Sequence, residues 1–400
     1  MIDILIKNGT LITLAGGVRR GRDVDLGIIE KGAIGVKDGK IVCVGDCPEE
    51  AEEVFDAEGK AIFPGFIDPH THAVFGGQRS NEFAMRLQGK SYMEIRAMGG
   101  GINASVSATR EASSDELRSI LINRLEEMKN WGVLTVEVKS GYGLDRETEL
   151  KMLQVINDVK DKFDVLPTFL GAHDIPHGRS KDEYIEEVIQ MIPEVSEKKL
   201  ACFIDVFCEE GVFSPDESRR ILLEGKKHGL IPKIHADEIK SSGGAEVAGE
   251  VGAISADHLL KPSDDGLKKM KSAGTVAVFL PACSFYLGSD RPPVDKFRDM
   301  GIPIAIGTDF NPGSSPVIHL TLAASIGCIH YGLTIEEAIA GITINAARSL
   351  GLEKIKGSLE IGKVADIIIS RYTDYRELLY WIGANPVYRI IKGGKWLERK

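Results

Sequence analysis

The sequence has no apolar run near the roughly 20 residues that a membrane-spanning helix needs, so no membrane association is expected. It has no block of basic residues and no basic stripe interleaved with aromatics. With a formal charge of −10 and a pI near 5.5, a nucleic-acid partner is not expected either. The opening residues Met1-Ile2-Asp3-Ile4 lack a charged leader and a long apolar core, which leaves the cytoplasm as the expected compartment. Cysteines are few: six, at positions 43, 47, 202, 208, 283 and 328. Cys43 and Cys47 are close, but no second pair completes a zinc ribbon, so reduced structural thiols are expected. No Gly-x-Gly-x-x-Gly follows a strand, which removes the dinucleotide fingerprint; Gly99-Gly100-Gly101 reads as a turn, a mobile lid or an anion-binding nest.

What is present is ordinary globular material, 43% hydrophobic and 27% charged over 400 residues, enough for one large domain and a smaller one. The first segment, 1–62, reads as short strands with a hairpin at Asp38-Gly39, and the last, 356–400, reads similarly around Ile367-Ile368-Ile369 and Arg389-Ile390-Ile391. Neither buries a core alone, so the two ends are expected to pair into a small β-sandwich. Residues 63–355 between them alternate strands and helices. Candidate strands end at His72, Lys139, His173, Glu209, His235, His258, Pro281 and Asp309. Ser214-Pro215-Asp216-Glu217 and Thr334-Ile335-Glu336-Glu337 are capping boxes that start two of the helices. Eight parallel strands predict a (β/α)8 barrel. A doubly wound open sheet is the alternative, and it would keep the first and eighth strands apart.

Chemistry gathers at the strand ends. In Asp68-Pro69-His70-Thr71-His72 the two histidines are two residues apart, and in an extended strand they share a face. Five of the nine histidines, at 70, 72, 173, 235 and 258, fall at strand ends, where a barrel carries its catalytic groups. His177, His228, His319 and His330 fall in loops or helices and read as structural. Imidazole and carboxylate together suit a divalent Zn or Fe ion, and His70, His72, His235 and Asp309 are the expected ligands. The fourth strand, ending Phe207-Cys208-Glu209-Glu210, has no lysine to carbamylate as a bridge, and Lys139 falls on the second, so one ion is expected. Glu238, three residues past His235, is placed to exchange a proton with a substrate nitrogen. Hydrolysis by activated water is the chemistry such a centre favours.

Pro64-Gly65-Phe66-Ile67-Asp68-Pro69-His70-Thr71-His72 and the closing Gly362-Lys363-Val364-Ala365-Asp366 resemble the amidohydrolase superfamily. Longer stretches are similar to its branch that opens imidazolone rings in histidine degradation. They include Ala73-Val74-Phe75-Gly76-Gly77 leading to Arg79, Glu137-Val138-Lys139-Ser140-Gly141-Tyr142-Gly143-Leu144, and Thr308-Asp309-Phe310-Asn311-Pro312-Gly313-Ser314. The resemblance implies conversion of 4-imidazolone-5-propanoate to N-formimidoyl-L-glutamate with one Zn or Fe ion, by a homodimer. Carried onto this sequence, it implies metal ligation by His70, His72, His235 and Asp309. It implies substrate contacts from Arg79, Tyr142, His173 and Glu238, with Asn311, Gly313 and Ser314 at the product end. Arginine suits the propanoate because it grips carboxylate bidentately.

In the expected reaction Asp309 or His258 takes a proton from water, the ring carbonyl is attacked, and Glu238 protonates the departing nitrogen. Two rivals remain open. A deaminase of a cyclic amidine or purine could use the same ligands, with less need of Arg79. A non-catalytic relative should have lost ligands, whereas every expected position is filled.

Overall fold

A computed structural model describes residues 1–90, 94 and 98–398. The last two residues of the expected C-terminal segment, and six within the expected barrel segment, lie outside the described residues. Eight parallel strands, Phe66–Asp68, Val133–Lys139, Asp164–Ala172, Phe203–Cys208, Ile231–Ala236, Ser255–His258, Val276–Phe279 and Ile304–Ile306, pair in chain order. The ends of the sheet meet: Thr71 bridges Phe310, the Asp309 N–H donates to the His70 carbonyl at 3.0 Å, and the His72 N–H donates to the Phe310 carbonyl at 3.0 Å. First and eighth strands therefore lie side by side, which excludes the open sheet and gives the (β/α)8 barrel.

Alternation along each strand sorts its side chains. In Val133–Lys139, Leu134, Val136 and Val138 join the apolar layer under the helices, while Thr135, Glu137 and Lys139 take the other face. Ile231–Ala236 repeats this, with Ile234 and Ala236 outward and Lys233 and His235 inward. The helices close over the outer face with Leu117, Leu121, Ile185, Val188, Ile221 and Leu222, all buried. Both capping boxes form as expected, at Ser214 and Thr334, and Ser113 supplies another.

The first and eighth strands stop well short of where the sequence suggests, and the third, fourth and seventh stop a residue or two short. Pro69 has no N–H to continue the ladder, so the first strand ends at Asp68, and His70 and His72 follow on an extended segment. The eighth ends at Ile306 because the next polar groups turn to the first: Asp68 accepts from the Thr308 N–H at 3.1 Å and from its hydroxyl at 2.6 Å.

The two chain ends build one continuous eight-stranded sheet. Ile2–Ile12 pairs with Ile28–Lys37, Ala51–Asp56 and Ala61–Pro64, and the last continues into Ile367–Ser370 and Val387–Lys392. The sheet curls until Lys40 bridges Val364, enclosing Ile4, Ile6, Val36, Ile62, Ile367 and Ile391. Gly65 donates its N–H to Asp366 at 2.8 Å where this layer enters the barrel. One expectation fails here: Cys43 and Cys47 are not reduced thiols but a disulfide. The turn after Gly45 brings their Cα atoms to 5.6 Å, within bridging range. Cys202, Cys208, Cys283 and Cys328 are free.

Candidate metal centre and active site

His70 and Asp309 approach from the joined strand ends, His72 from two residues beyond His70, and His235 from the fifth strand. His70 Nε2 and His72 Nε2 each lie 3.4 Å from Asp309 Oδ1, and His72 Nε2 lies 3.5 Å from His235 Nε2. All four side chains are buried, and His70 Nε2 has no hydrogen-bond partner. Ligands about 2.1 Å from a tetrahedral ion stand about 3.4 Å apart, so this set fits a divalent metal. Burial, and then the Lys139 charge for His70 and the neighbouring histidines for both, hold His70 and His72 well below the usual imidazole pKa. Their lone pairs are therefore free for an ion. Asp309 sits at φ +52° and His258 at φ +72°, sparsely used for non-glycine residues and a sign of strain held at a working site.

Beneath the ligands lies a set of residues the sequence reading did not assign. His70 Nδ1 pairs with Asp257 Oδ2 at 2.6 Å, and His235 Nδ1 stands 3.0 Å from Asp205 Oδ2, bent from ideal hydrogen-bond alignment. Lys139 Nζ donates to Asp205 Oδ2 at 2.8 Å and Glu137 Oε1 at 2.7 Å, with Asp257 at 3.7 Å. Such partners fix which ring nitrogen carries the proton and leave the other for the metal. Alternating polar positions in Val-Glu-Val-Lys and Ser-Ala-Asp-His were the available signal.

His258 reaches the same space. Strict alternation would send it outward with Ala256, and its positive φ turns it back toward His70 and His235. Burial is the main cause that takes His258 down to about 3, against the pull of Asp309. Its Nδ1 faces Glu238 Oε1 at 3.6 Å. Glu238 is in no helix, since the next begins at Gly244, so the ordinary helix-cap role does not apply. Burial and the Asp309 charge raise it to about 7.

His173 stacks on His72 at 4.9 Å, and its Nδ1 donates to the Gly141 carbonyl at 2.9 Å, which leaves Nε2 as an acceptor. Tyr142 stands edge-on to both rings. Its loop hangs on buried Glu149, which accepts the N–H groups of Gly141, Gly143 and Leu144. Arg79 pairs with Glu82 at 2.7 Å while its buried Nε has no partner. Glu82 also accepts the Gly101 N–H at 3.0 Å, so the glycine loop is tied to Arg79. A cavity of about 430 Å³ opens beside Arg79, Phe75, Phe310 and Asn311. Asn311 spends its side chain on its own loop: it donates to the Asp309 carbonyl and to Ser314 Oγ, and accepts from the Gly313 and Ser314 N–H groups. A Cβ on Gly313 would run into the Arg79 guanidinium, so glycine lets that arginine lie close. Arg124, also unassigned from sequence, caps the Phe75 ring at 3.5 Å and donates to the Ala73 and Phe75 carbonyls. The four remaining histidines lie elsewhere, His319 for instance stacked on Trp131.

Barrel, histidine cluster and buried aspartate together define a metal-dependent hydrolase. The profile of the amidohydrolase family matches residues 61–397. An imidazolonepropionase of Geobacillus kaustophilus is 48% identical, covering 96% of this chain and 95% of its own. One of Clostridium tetani is 45% identical, covering 100% and 99%. A zinc-bound adenosine deaminase of Xanthomonas campestris superposes with a TM-score of 0.73 at 16% identity, covering 99% of this chain and 92% of its own, a likeness of fold. The chain belongs to the amidohydrolase family and, within it, to the imidazolonepropionases.

Proposed function

We propose that the chain hydrolyses 4-imidazolone-5-propanoate to N-formimidoyl-L-glutamate. The observation that carries this is the meeting of four metal-type ligands with a proton-exchanging carboxyl on one side and a buried arginine on the other. His70, His72, His235 and Asp309 would hold one Zn or Fe ion, which would supply the Lewis acidity that makes water nucleophilic at neutral pH.

The residues then divide the work. Arg79 binds the propanoate through its unpartnered Nε and the guanidinium edge left free by Glu82. Tyr142 donates its hydroxyl proton to the ring, and His173 Nε2 accepts a ring N–H; the edge-on pair of rings excludes water from that side. His258, neutral at physiological pH, and Asp309 are the bases for the attacking water. A proton on His258 can pass from Nδ1 to Glu238 Oε1, 3.6 Å away. Glu238 delivers a proton to the ring nitrogen as the C–N bond breaks, and a carboxyl with a pKa near 7 suits that exchange. Asn311, Gly313 and Ser314 shape the wall at the product end.

The family resemblance further supports a cytoplasmic homodimer. Among the described residues no helix is long and apolar enough to cross a membrane.

The test is an anaerobic absorbance assay with freshly made imidazolone propanoate, with and without a chelator. Loss of the ring chromophore with formimidoylglutamate as product, abolished by the chelator and restored by Zn or Fe, is expected. Ammonia release without ring opening would replace this reading with deamination.

A further inference from the structure

Cys283 has no part in the reaction above, yet it faces the proton-exchanging pair. It lies at the start of the helix Pro281–Leu287, just beyond the seventh strand, and is 2% exposed. Its Sγ is 3.8 Å from Glu238 Oε1, and that oxygen is 3.6 Å from His258 Nδ1. One ligand atom from each of Glu238, His258 and Cys283 lies within 4.8 Å of the other two. Zinc bonds of about 2.0–2.3 Å to nitrogen, oxygen and sulfur put such ligands about 3.3–3.6 Å apart, so the two contacts to Glu238 need to shorten by a few tenths of an ångström, while Cys283 and His258, within 4.8 Å of each other, must draw closer by up to about an ångström. The set differs from the first centre in kind: a thiol beside imidazole and carboxylate favours zinc or cadmium over magnesium or calcium.

We propose that Glu238, His258 and Cys283 form a second metal site, which takes a soft divalent cation such as zinc when it is in excess. On binding, the Cys283 thiol gives its proton to solvent and its sulfur bonds the cation, with His258 Nδ1 and a Glu238 oxygen as the other protein ligands. Occupancy occupies Glu238 and His258, so it arrests turnover. That consequence rests on the proton-exchange role proposed above, whereas binding does not.

The experiment titrates cadmium into enzyme already loaded with one equivalent of zinc. It reads metal per chain after gel filtration, the ultraviolet sulfur-to-metal charge-transfer band, and turnover. Expected are a second equivalent, a thiolate band rising with it, and a loss of turnover of about tenfold or more. C283S, close in size, should stay at one equivalent without the band. E238Q should keep the thiol and the first equivalent while binding the second at least tenfold more weakly. A wild-type protein that stays at one equivalent, or a band that survives in C283S, overturns the site. A second equivalent with its band but unchanged turnover upholds the site and counts against the role given to Glu238.

Discussion

Asp257 touches no expected metal position, and removing its charge separates orientation of a ligand from ligation. Its Oδ2 takes the His70 Nδ1 proton at 2.6 Å with both side chains fully buried. Asp257→Asn keeps an oxygen of similar size but loses the charge. A hydrogen bond to a charged group is worth about 1.5–3 kcal/mol net, and loss of such an outer partner costs about 10- to 100-fold in metal affinity, equivalent to about 1.4–2.7 kcal/mol. The fold should survive with some loss of stability, since buried Lys233 loses its Asp257 partner at 3.9 Å. Lys139 keeps Asp205 at 2.8 Å and Glu137 at 2.7 Å, and Lys233 keeps the Pro69 carbonyl at 3.2 Å. The assay is competition of metal-free protein with a chelator of known affinity, alongside thermal unfolding without metal. The expected result is weaker metal binding by that factor, with kcat at saturating metal within a few-fold of wild type. Unchanged metal affinity would refute the orienting role, as would a collapse of the metal-free protein that accounts for the whole effect.

Three further outcomes follow from the same geometry. His258→Gln should lower kcat by about 10²- to 10⁴-fold while bound metal per chain, read by elemental analysis, stays at the wild-type level; equal loss of both would make His258 a ligand. Arg79→Lys replaces a planar fork by a point charge, so KM for the propanoate substrate should rise about tenfold or more with a smaller change in kcat, measured by steady-state kinetics. Glu149 is raised from 4.5 to about 6 by burial, against its hydrogen bonds to Ser140 and the loop N–H groups. Between those pH values the folded chain keeps a proton that the unfolded chain has released, so this group's contribution to stability falls by about 2 kcal/mol as pH rises through the window. Glu149→Gln should flatten that slope in denaturant titrations at pH 4.5 and 6.5, and it should raise KM through the Tyr142 loop.

The barrel was legible because its strands are apolar runs between capped helices, and because histidines recur where those runs stop. His70, His72, His235 and Asp309 could be named together since a closed barrel leaves strand ends one place to meet. Glu238 was legible from its distance to His235, although its setting in a non-helical turn was not. The strand limits were missed at Pro69, where a missing N–H outweighs an otherwise continuous pattern. Glu149 gave no signal, because its helix position reads as any solvated acid until the loop above it is seen. Arg124 was hidden for a similar reason, since its partners lie some fifty residues earlier in the chain. Cys43 and Cys47 were weighed as half of a zinc motif, which left out the simpler bond between them.

Lys139 explains why the buried charges below the centre argue for one resident ion there rather than a lysine-bridged pair. An unpaired charge inside a barrel costs several kcal/mol, so Lys139, Lys233, Glu137, Asp205 and Asp257 persist only as a mutually paired set. Burial alone would lower the pKa of Lys139, but Asp205, Glu137 and Asp257 more than reverse this and hold it cationic. Carbamylation needs a neutral amine, and it would add a negative charge where three carboxylates already crowd. Held as a cation, Lys139 keeps Asp205 ionised; Asp257 accepts the His70 Nδ1 proton, and Asp205 Oδ2 stands 3.0 Å from His235 Nδ1. The two Nε2 lone pairs then face Asp309 and His72 across distances that suit a single ion. Lys139, on the second strand rather than the fourth, works here through the histidines, by holding the carboxylates that face their Nδ1 atoms.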